Sequence, residues 1–353
     1  MCSERRKKKK KERKEPLAKW PAHNNPFMDS VQEHYMEIRK LQRTGGGTYI
    51  LSLPKKWIEK YSLEKGDSFA LFEQENGLFV TPKFEEKKEK SAEIAADEFV
   101  TRKIMTSYTY GYTAITITGT LTNEIRFQIR DTVDKLLGYE IIDEKEKTIH
   151  IQDLLNPSEL PTKKALKREY FLASSMHKDL TEAVDTTTFG LADDIIARDS
   201  EVDKLYFLIV RQLRSALQNT GFAERVGVTP LECLDFRIVA KNVEEIADSA
   251  EAASLNLLEM PVVQEDIAEY LVEFSNLAYL MHQTAFKAFL EGDRARANMV
   301  IEKQREVKER KEELDEKILK AEQAVLLGNI VENIQIMCEK GSDIADLVFK
   351  PED

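Results

Sequence analysis

A shift of 105 positions lays the second half of this chain on itself without a gap. It places Met176-His177 on Met281-His282, Ala183 on Ala288, Ala192 on Ala297, Ile196 on Ile301 and Glu201-Val202 on Glu306-Val307. Farther on, an offset of 88 places Val243-Glu244 on Val331-Glu332, Ile246 on Ile334 and Glu251 on Glu339. After Pro157 and Pro161 the apolar residues keep a helical period to the end of the chain with few breakers. Each repeat is then about three helices long, and the economical architecture is two three-helix bundles in tandem, over 161–258 and 259–353. Thr188 and Asp293 fall on equivalent positions as N-caps of the second helices. Gly221, Gly227 and Pro230 predict a loop between the second and third helices of the first repeat, and Pro261 separates the repeats.

Upstream the pattern differs. Residues 85–160 read as a small α/β connector. A helix is expected over 92–110, then the alternating strand Ala114-Ile115-Thr116-Ile117-Thr118, a helix over 123–137 stopped by Gly138, and two strands joined by the charged turn 143–147. This suggests a ferredoxin-like half domain acting as a spacer or a ligand-sensing module. Residues 28–84 are β-rich: Tyr49-Ile50-Leu51-Ser52-Leu53 is a strand, Pro54 fits the first turn of a short helix, and Gly66-Asp67 turns the chain. Two further strands flank Asn76-Gly77, a hairpin signal. A unit of about fifty residues with apolar side chains on both faces of its strands buries them poorly alone, which predicts pairing with a second copy. Residues 1–27 combine a lysine block with Pro16, Pro21 and Pro26 and read as a disordered basic arm, suited either to nucleic acid or to solubility.

Composition removes several classes. With 353 residues, 42% of them apolar, the chain can build cores, and its 33% charged residues leave no run near the roughly 18 apolar residues of a membrane span. No apolar stretch follows the N-terminal charges as in a secretory signal, so a cytoplasmic location is expected. Cys2, Cys233 and Cys338 are far apart and encode neither a disulfide framework nor a zinc site. Charge is uneven: ten basic and three acidic residues put +7 on residues 1–19, residues 28–84 are neutral, and 34 basic against 52 acidic residues leave −18 on residues 85–353. One end suits polyanions and the other suits cations.

Two constellations carry chemistry. Asp199 and Asp203 lie at i,i+4 on one expected helix and Glu244 and Asp248 at i,i+4 on the next, so four carboxylates can converge on a cation. The second repeat offers Gln304, Lys308 and Ile336 opposite Asp199, Asp203 and Asp248, so any such site belongs to one repeat. Acidic pairs on solvated faces give the same spacing. Arg39, Lys40 and Arg43 before the first strand, with Lys55 and Lys56 at the start of the short helix, form a basic stripe in a twofold dimer. Ordinary surface charge accounts for them equally well. Gly45-Gly46-Gly47 is a tight turn and not a phosphate loop, because a strand follows it. The five histidines lack metal-site spacing, and no Ser-His-Asp or Cys-His arrangement is present, so no enzyme activity is expected. A basic pocket for inorganic phosphate is not visible.

The stretches Arg39-Lys40-Leu41-Gln42-Arg43, Ser52-Leu53-Pro54-Lys55-Lys56-Trp57 and Lys65-Gly66-Asp67 resemble the AbrB/SpoVT DNA-binding domain, a swapped-hairpin β-barrel. Arg198-Asp199 through Val202-Asp203-Lys204-Leu205, with Val243-Glu244-Glu245-Ile246-Ala247-Asp248, resemble the PhoU domain, a duplicated three-helix bundle. The conjunction is similar to archaeal PhoU-type phosphate uptake regulators. It implies a multidomain α+β chain: an AbrB-like β-barrel unit, the α/β connector and C-terminal all-α tandem bundles. It also implies a non-enzymatic homodimer that binds DNA at promoters of phosphate-uptake genes through Arg39, Lys40 and Arg43. Asp199, Asp203, Glu244 and Asp248 match the family pattern that holds an iron or zinc cluster, with magnesium as an alternative. The competing implication is an adaptor that restrains a phosphate ABC transporter ATPase or a sensor kinase, its N-terminal unit serving only to dimerise. A ferritin-like metal enzyme is disfavoured, because the Glu-x-x-His pattern is absent.

Overall fold

The computed structural model describes residues 38–45, 47–74, 77–82, 90–155, 160–186, 189–260 and 262–350. The expected basic arm, Asn76, Thr188 and Pro261 lie outside them. The chain divides into two units, residues 1–87 and 88–353.

In the first unit β1 (Gln42–Arg43) and β2 (Tyr49–Ile50) pair antiparallel with Arg43 opposite Tyr49. The chain turns between them: the Thr44 N–H donates to the Thr48 carbonyl at 2.9 Å. Pro54 is the N-cap of α1 (Lys55–Lys60), one position ahead of the first-turn place expected for it. Trp57 of this helix packs on Tyr61 and Phe69 at ring separations of 5.4 and 6.0 Å. Asp67 closes the next turn by accepting from the Glu64 N–H at 2.7 Å. The strands β3 (Phe69–Gln74) and β4 (Gly77–Pro82) then pair antiparallel. Their register sets Gln74 opposite Gly77, so the two-residue connection is 75–76, one position earlier than the Asn76-Gly77 turn expected.

The two strand pairs are separate two-stranded sheets, and among the described residues of one chain the expected barrel is not closed. Core size is the reason. Leu41, Tyr49, Leu51, Leu71 and Leu78 stay exposed, Leu71 by 62% and Leu78 by 60%, and no residue of α1 is buried. Among the described residues, a unit this small has too little of its own to lay against those side chains.

The second unit opens with a strand where a helix was expected from residue 92: β5 (Ser91–Ala95) alternates exposed and half-buried positions along β6. The helix α2 (Val100–Thr109) follows, then β6 (Ala114–Thr118), α3 (Asn123–Asp134), β7 (Tyr139–Glu144) and β8 (Thr148–Asp153). The sheet order is β5-β6-β8-β7, with β5 and β6 parallel and the other pairs antiparallel. This β-α-β-α-β-β order differs from the ferredoxin-like β-α-β-β-α-β arrangement expected. Ile115, Ile117, Ile149 and Ile151 face Val100, Ile104, Tyr108, Ile129 and Val133 in one core, as their period of two requires. Helix α3 ends at Asp134 with Lys135 as its C-cap, three residues short of the end expected just before Gly138. Gly138, at φ +92°, instead turns the chain into β7, where a Cβ would stand 2.5 Å from that of Leu155.

The helical half comprises α4 (Thr162–Thr186), α5 (Phe189–Gln218), α6 (Thr220–Val226) and α7 (Pro230–Leu258), then α8 (Glu265–Glu291), α9 (Arg294–Glu302), α10 (Gln304–Ile318) and α11 (Ala324–Asp346). The expected loop through Gly221 and Gly227 instead carries α6, because Asn219 caps its start and Gly227, left-handed at φ +71°, ends it. Thr229 and Glu232 form a capping box on α7, with Pro230 in its first turn. Asp293 accepts from the Arg296 N–H at 3.1 Å and caps α9, as the repeat predicts. The second helix of the second repeat is broken at Lys303 into α9 and α10.

One apolar core runs through both repeats. Helix α11 approaches α8 so closely that a Cβ on Gly341 would stand 2.9 Å from the His282 nitrogen. His177 and His282 meet across α4 and α8 with Nδ1 and Nε2 2.9 Å apart, flanked by Ser275 at 3.0 Å and Tyr170 at 3.0 Å. Both are fully buried, at the contact between the two repeats. The connector is docked on the bundle: Arg211 of α5 pairs with Asp153 at 2.6 Å and lies over the Tyr108 ring at 4.6 Å. Ion pairing and stacking at a buried guanidinium make this a specific joint.

Candidate functional site

Helices α4, α5 and α7 bring acids together on one side of the first repeat. One carboxylate oxygen each from Asp199, Asp203 and Asp248 lies within 4.8 Å of the others. The i,i+4 pair on α5 and Asp248 on α7 therefore meet as the spacing predicted. Glu244, the fourth expected ligand, is buried beside them but is engaged by Lys241 one turn earlier on α7. Two acids escaped sequence reasoning. Glu251 joins from the next turn of α7, where its i+3 spacing from Asp248 was the available signal. Glu169 of α4 is 0% exposed, and neither of its oxygens has a hydrogen-bond partner among the described residues. Its signal was a charge at an apolar position, three residues after the core residue Leu166 and four before Ala173.

The electrostatics are those of a site short of positive charge. Burial, followed by Glu251, Asp203 and Asp248, pushes the Asp199 carboxyl up to about 7. Burial and then Glu244 raise Asp203, and burial with Asp203 raises Glu251. Asp248 is raised by burial and by Asp203 and Glu251, against the pull of Lys241. Glu169 stands well above the carboxylate range because it is buried and faces Glu244, with Arg237 opposing. Converging carboxylates of this kind cost stability unless a cation or protons compensate them.

In the first unit the basic residues singled out by sequence are all exposed. Arg39 and Lys40 lead into β1, Arg43 lies on β1, and Lys55 and Lys56 open α1. Lys55 pairs with Glu59 at 3.5 Å, a solvent-exposed contact of small energy.

The PhoU domain family matches this chain twice, over residues 166–254 and 271–347, one match on each repeat. The helical half is a tandem PhoU domain. The family described as "Antidote-toxin recognition MazE, bacterial antitoxin" matches residues 42–88, which include Arg43, Lys55 and Lys56 and begin just past Arg39 and Lys40. No curated protein matches the chain. The first PhoU match contains Glu169, Asp199, Asp203, Glu244, Asp248 and Glu251, so the whole acidic cluster belongs to the first PhoU repeat. A PhoU domain joined to a MazE/AbrB-like domain is the make-up of a phosphate-related regulator, and both families are regulatory rather than enzymatic. Among the described residues no helix is long and apolar enough to cross a membrane.

Proposed function

We propose that this protein is a phosphate-responsive transcriptional regulator of phosphate uptake that acts as a homodimer in the cytoplasm. The observation that carries the reading is the exposed apolar surface of the MazE-like unit, set beside exposed arginines and lysines. Leu71, Leu78 and Phe79 need an opposing surface, and a second copy supplies one by symmetry. Two copies double the set Arg39, Lys40, Arg43, Lys55 and Lys56, which then contacts phosphates and base edges of a promoter.

In the PhoU half, Asp199, Asp203 and Asp248 would hold a metal ion, with Glu244, Glu251 and the unpartnered Glu169 around it. The residues fit a cation on chemistry, since the buried Glu169 carboxyl lacks any partner among the described residues and its neighbours repel it. An all-carboxylate donor set suits a hard cation such as magnesium, and carboxylate-rich helical bundles also hold iron, whereas zinc sites draw more on nitrogen and sulfur. Bound metal would neutralise the cluster and stiffen the contact of α4, α5 and α7.

The test is binding to DNA from phosphate-transport promoters against scrambled DNA across a salt series, with the full chain and a chain starting at Met28. Tight, promoter-selective binding that persists without residues 1–27 is the expected result. Weak binding that is equal on both DNAs and lost with the arm would overturn DNA recognition by the MazE-like unit. That outcome would favour an adaptor for a phosphate transporter ATPase or sensor kinase.

A further inference from the structure

The second PhoU repeat has a pocket where the first has its acids. A cavity of about 360 Å³ lies between α8, α10 and α11, within the size range of small-molecule sites. The repeat offsets relate its wall to the acidic cluster residue by residue: Gln304 stands for Asp199, Lys308 for Asp203 and Glu339 for Glu251. Ile336 stands for Asp248, so the convergence of acids is gone.

What replaces it is a donor-lined wall over an apolar floor. Met281, Val307 and Cys338, all buried, form the floor. Lys308 and Lys311 project from one face of α10 at i,i+3 spacing, beside the Gln304 amide. Both ammoniums have carboxylate neighbours: Glu312 at 3.8 Å from Lys308, and Asp315 and Glu332 at 3.0 and 3.6 Å from Lys311. Two buried polar atoms in the lining lack partners among the described residues, the Ser342 hydroxyl and the Gln335 Oε1. Gln335 spends its N–H on Glu339 at 2.7 Å, which leaves its Oε1 and the exposed Glu339 as acceptors. Leaving such atoms unpaired costs stability, and a ligand group that pairs them recovers it.

We infer that this pocket binds a small hydroxylated organic phosphate of the sugar-phosphate or nucleotide class. The two ammoniums suit a phosphate monoester carrying nearly two negative charges, and the Ser342 O–H, farther along α11 from the Glu332 that Lys311 meets, donates to another oxygen of the ligand. Gln335 Oε1 and Glu339 accept from hydroxyls of the ligand. The apolar floor takes its carbon skeleton, which inorganic phosphate lacks. The site is separate from the carboxylate cluster and does not depend on DNA binding.

The test is isothermal titration of the chelator-treated full-length chain with inorganic phosphate, adenosine monophosphate and glucose 6-phosphate. One of the two esters is expected to bind once per chain with a Kd below about 1 mM, and at least about tenfold more tightly than inorganic phosphate. The side chain of Lys308 is 78% exposed, so Lys308→Glu leaves the fold intact and should weaken ester binding at least about tenfold. Ser342→Ala removes a hydroxyl that has no partner among the described residues, so it should leave the unfolding midpoint unchanged or raise it while weakening the ester. Asp199→Asn in the first repeat should have no effect on ester binding. Failure of both esters to bind by about 1 mM overturns the inference, as does inorganic phosphate binding as tightly as the esters. So does binding that survives Lys308→Glu or is lost with Asp199→Asn.

Discussion

Asp199→Asn removes one charge from the acidic cluster and keeps the shape of the side chain, and its effect on stability follows from the site. The Asp199 carboxyl is pushed up to about 7 from its ordinary 3.8, first by burial and then by Glu251, Asp203 and Asp248. A carboxyl whose folded pKa lies above its unfolded value holds its proton more tightly in the native state. Its stabilising contribution is fully present below about pH 4 and is lost as pH rises through about 7. At 1.36 kcal/mol per pH unit the interval corresponds to at most about 4 kcal/mol, which solvent at this half-buried position reduces to about 2 kcal/mol. Urea unfolding of chelator-treated protein, followed by circular dichroism, measures it. The variant should exceed the unaltered protein by about 2 kcal/mol at about pH 8.5, with the difference shrinking below about 1 kcal/mol at about pH 5. Magnesium or ferrous iron at about a hundred times Kd should then stabilise the unaltered protein by about 2.7 kcal/mol and the variant far less. A variant no more stable at the higher pH, or a metal gain equal in both proteins, would refute the cluster as a strained cation site.

Other outcomes follow from the same coordinates. Leu71→Glu or Leu78→Glu places a charge on the exposed apolar strands of the MazE-like unit and should shift the protein from dimer to monomer in sedimentation velocity. Arg43→Ala and Lys55→Ala should each lower the slope of log K against log salt for promoter DNA by about 0.9, the value for one phosphate contact. Arg211→Met strips the guanidinium from Asp153, whose side chain is 2% exposed, and should lower urea stability by about 3–5 kcal/mol. His177, brought down to about 3 by burial, resists protonation in the folded state, so its contribution is present above pH 6.5 and is lost as pH falls from there toward about 3. His177→Gln should flatten that acid limb in thermal melts.

Elements whose period or caps are local could be read from the sequence, and elements decided by a distant neighbour could not. The alternation of Ile115 and Ile117 with threonines marked β6, and Asp293 marked the start of α9, because each signal lies within a few residues. Ala92-Glu93-Ile94-Ala95 is rich in good helix formers, yet it is a strand because β6 offers it a parallel edge, with Glu93 opposite Thr116. Asn219 was the unread signal for α6, since glycines within seven residues drew attention to a loop. The carboxylate pairs on α5 and α7 were visible as i,i+4 spacing. Glu169 was hidden because Lys167 and Arg168 give its segment the look of a solvated helix face. That Lys241 engages Glu244 was open to the same spacing rule, since the two are an i,i+3 pair on α7.

Duplication explains why one chain can hold an acidic cluster and a lysine-lined pocket in equivalent places. The shared core of the two repeats is carried by positions such as Met176 and Met281, Ala183 and Ala288, and Ile246 and Ile334, which point inward and keep the helices in register. Side chains on the open faces of α5 and α10 contribute little to that core, so Asp203 in one copy and Lys308 in the other are compatible with the same packing. The costs differ in kind as well as in place. In the first repeat they come from charge repulsion, which a cation relieves. In the second they come from hydrogen-bonding atoms without partners, which a polar ligand relieves. Helix α4 carries Glu169 at the first site and His177 in the core, while α8 carries Met281 at the second and His282 against His177. The two repeats therefore meet at a fully buried contact, and a ligand at either site would stabilise the bundle on its own account.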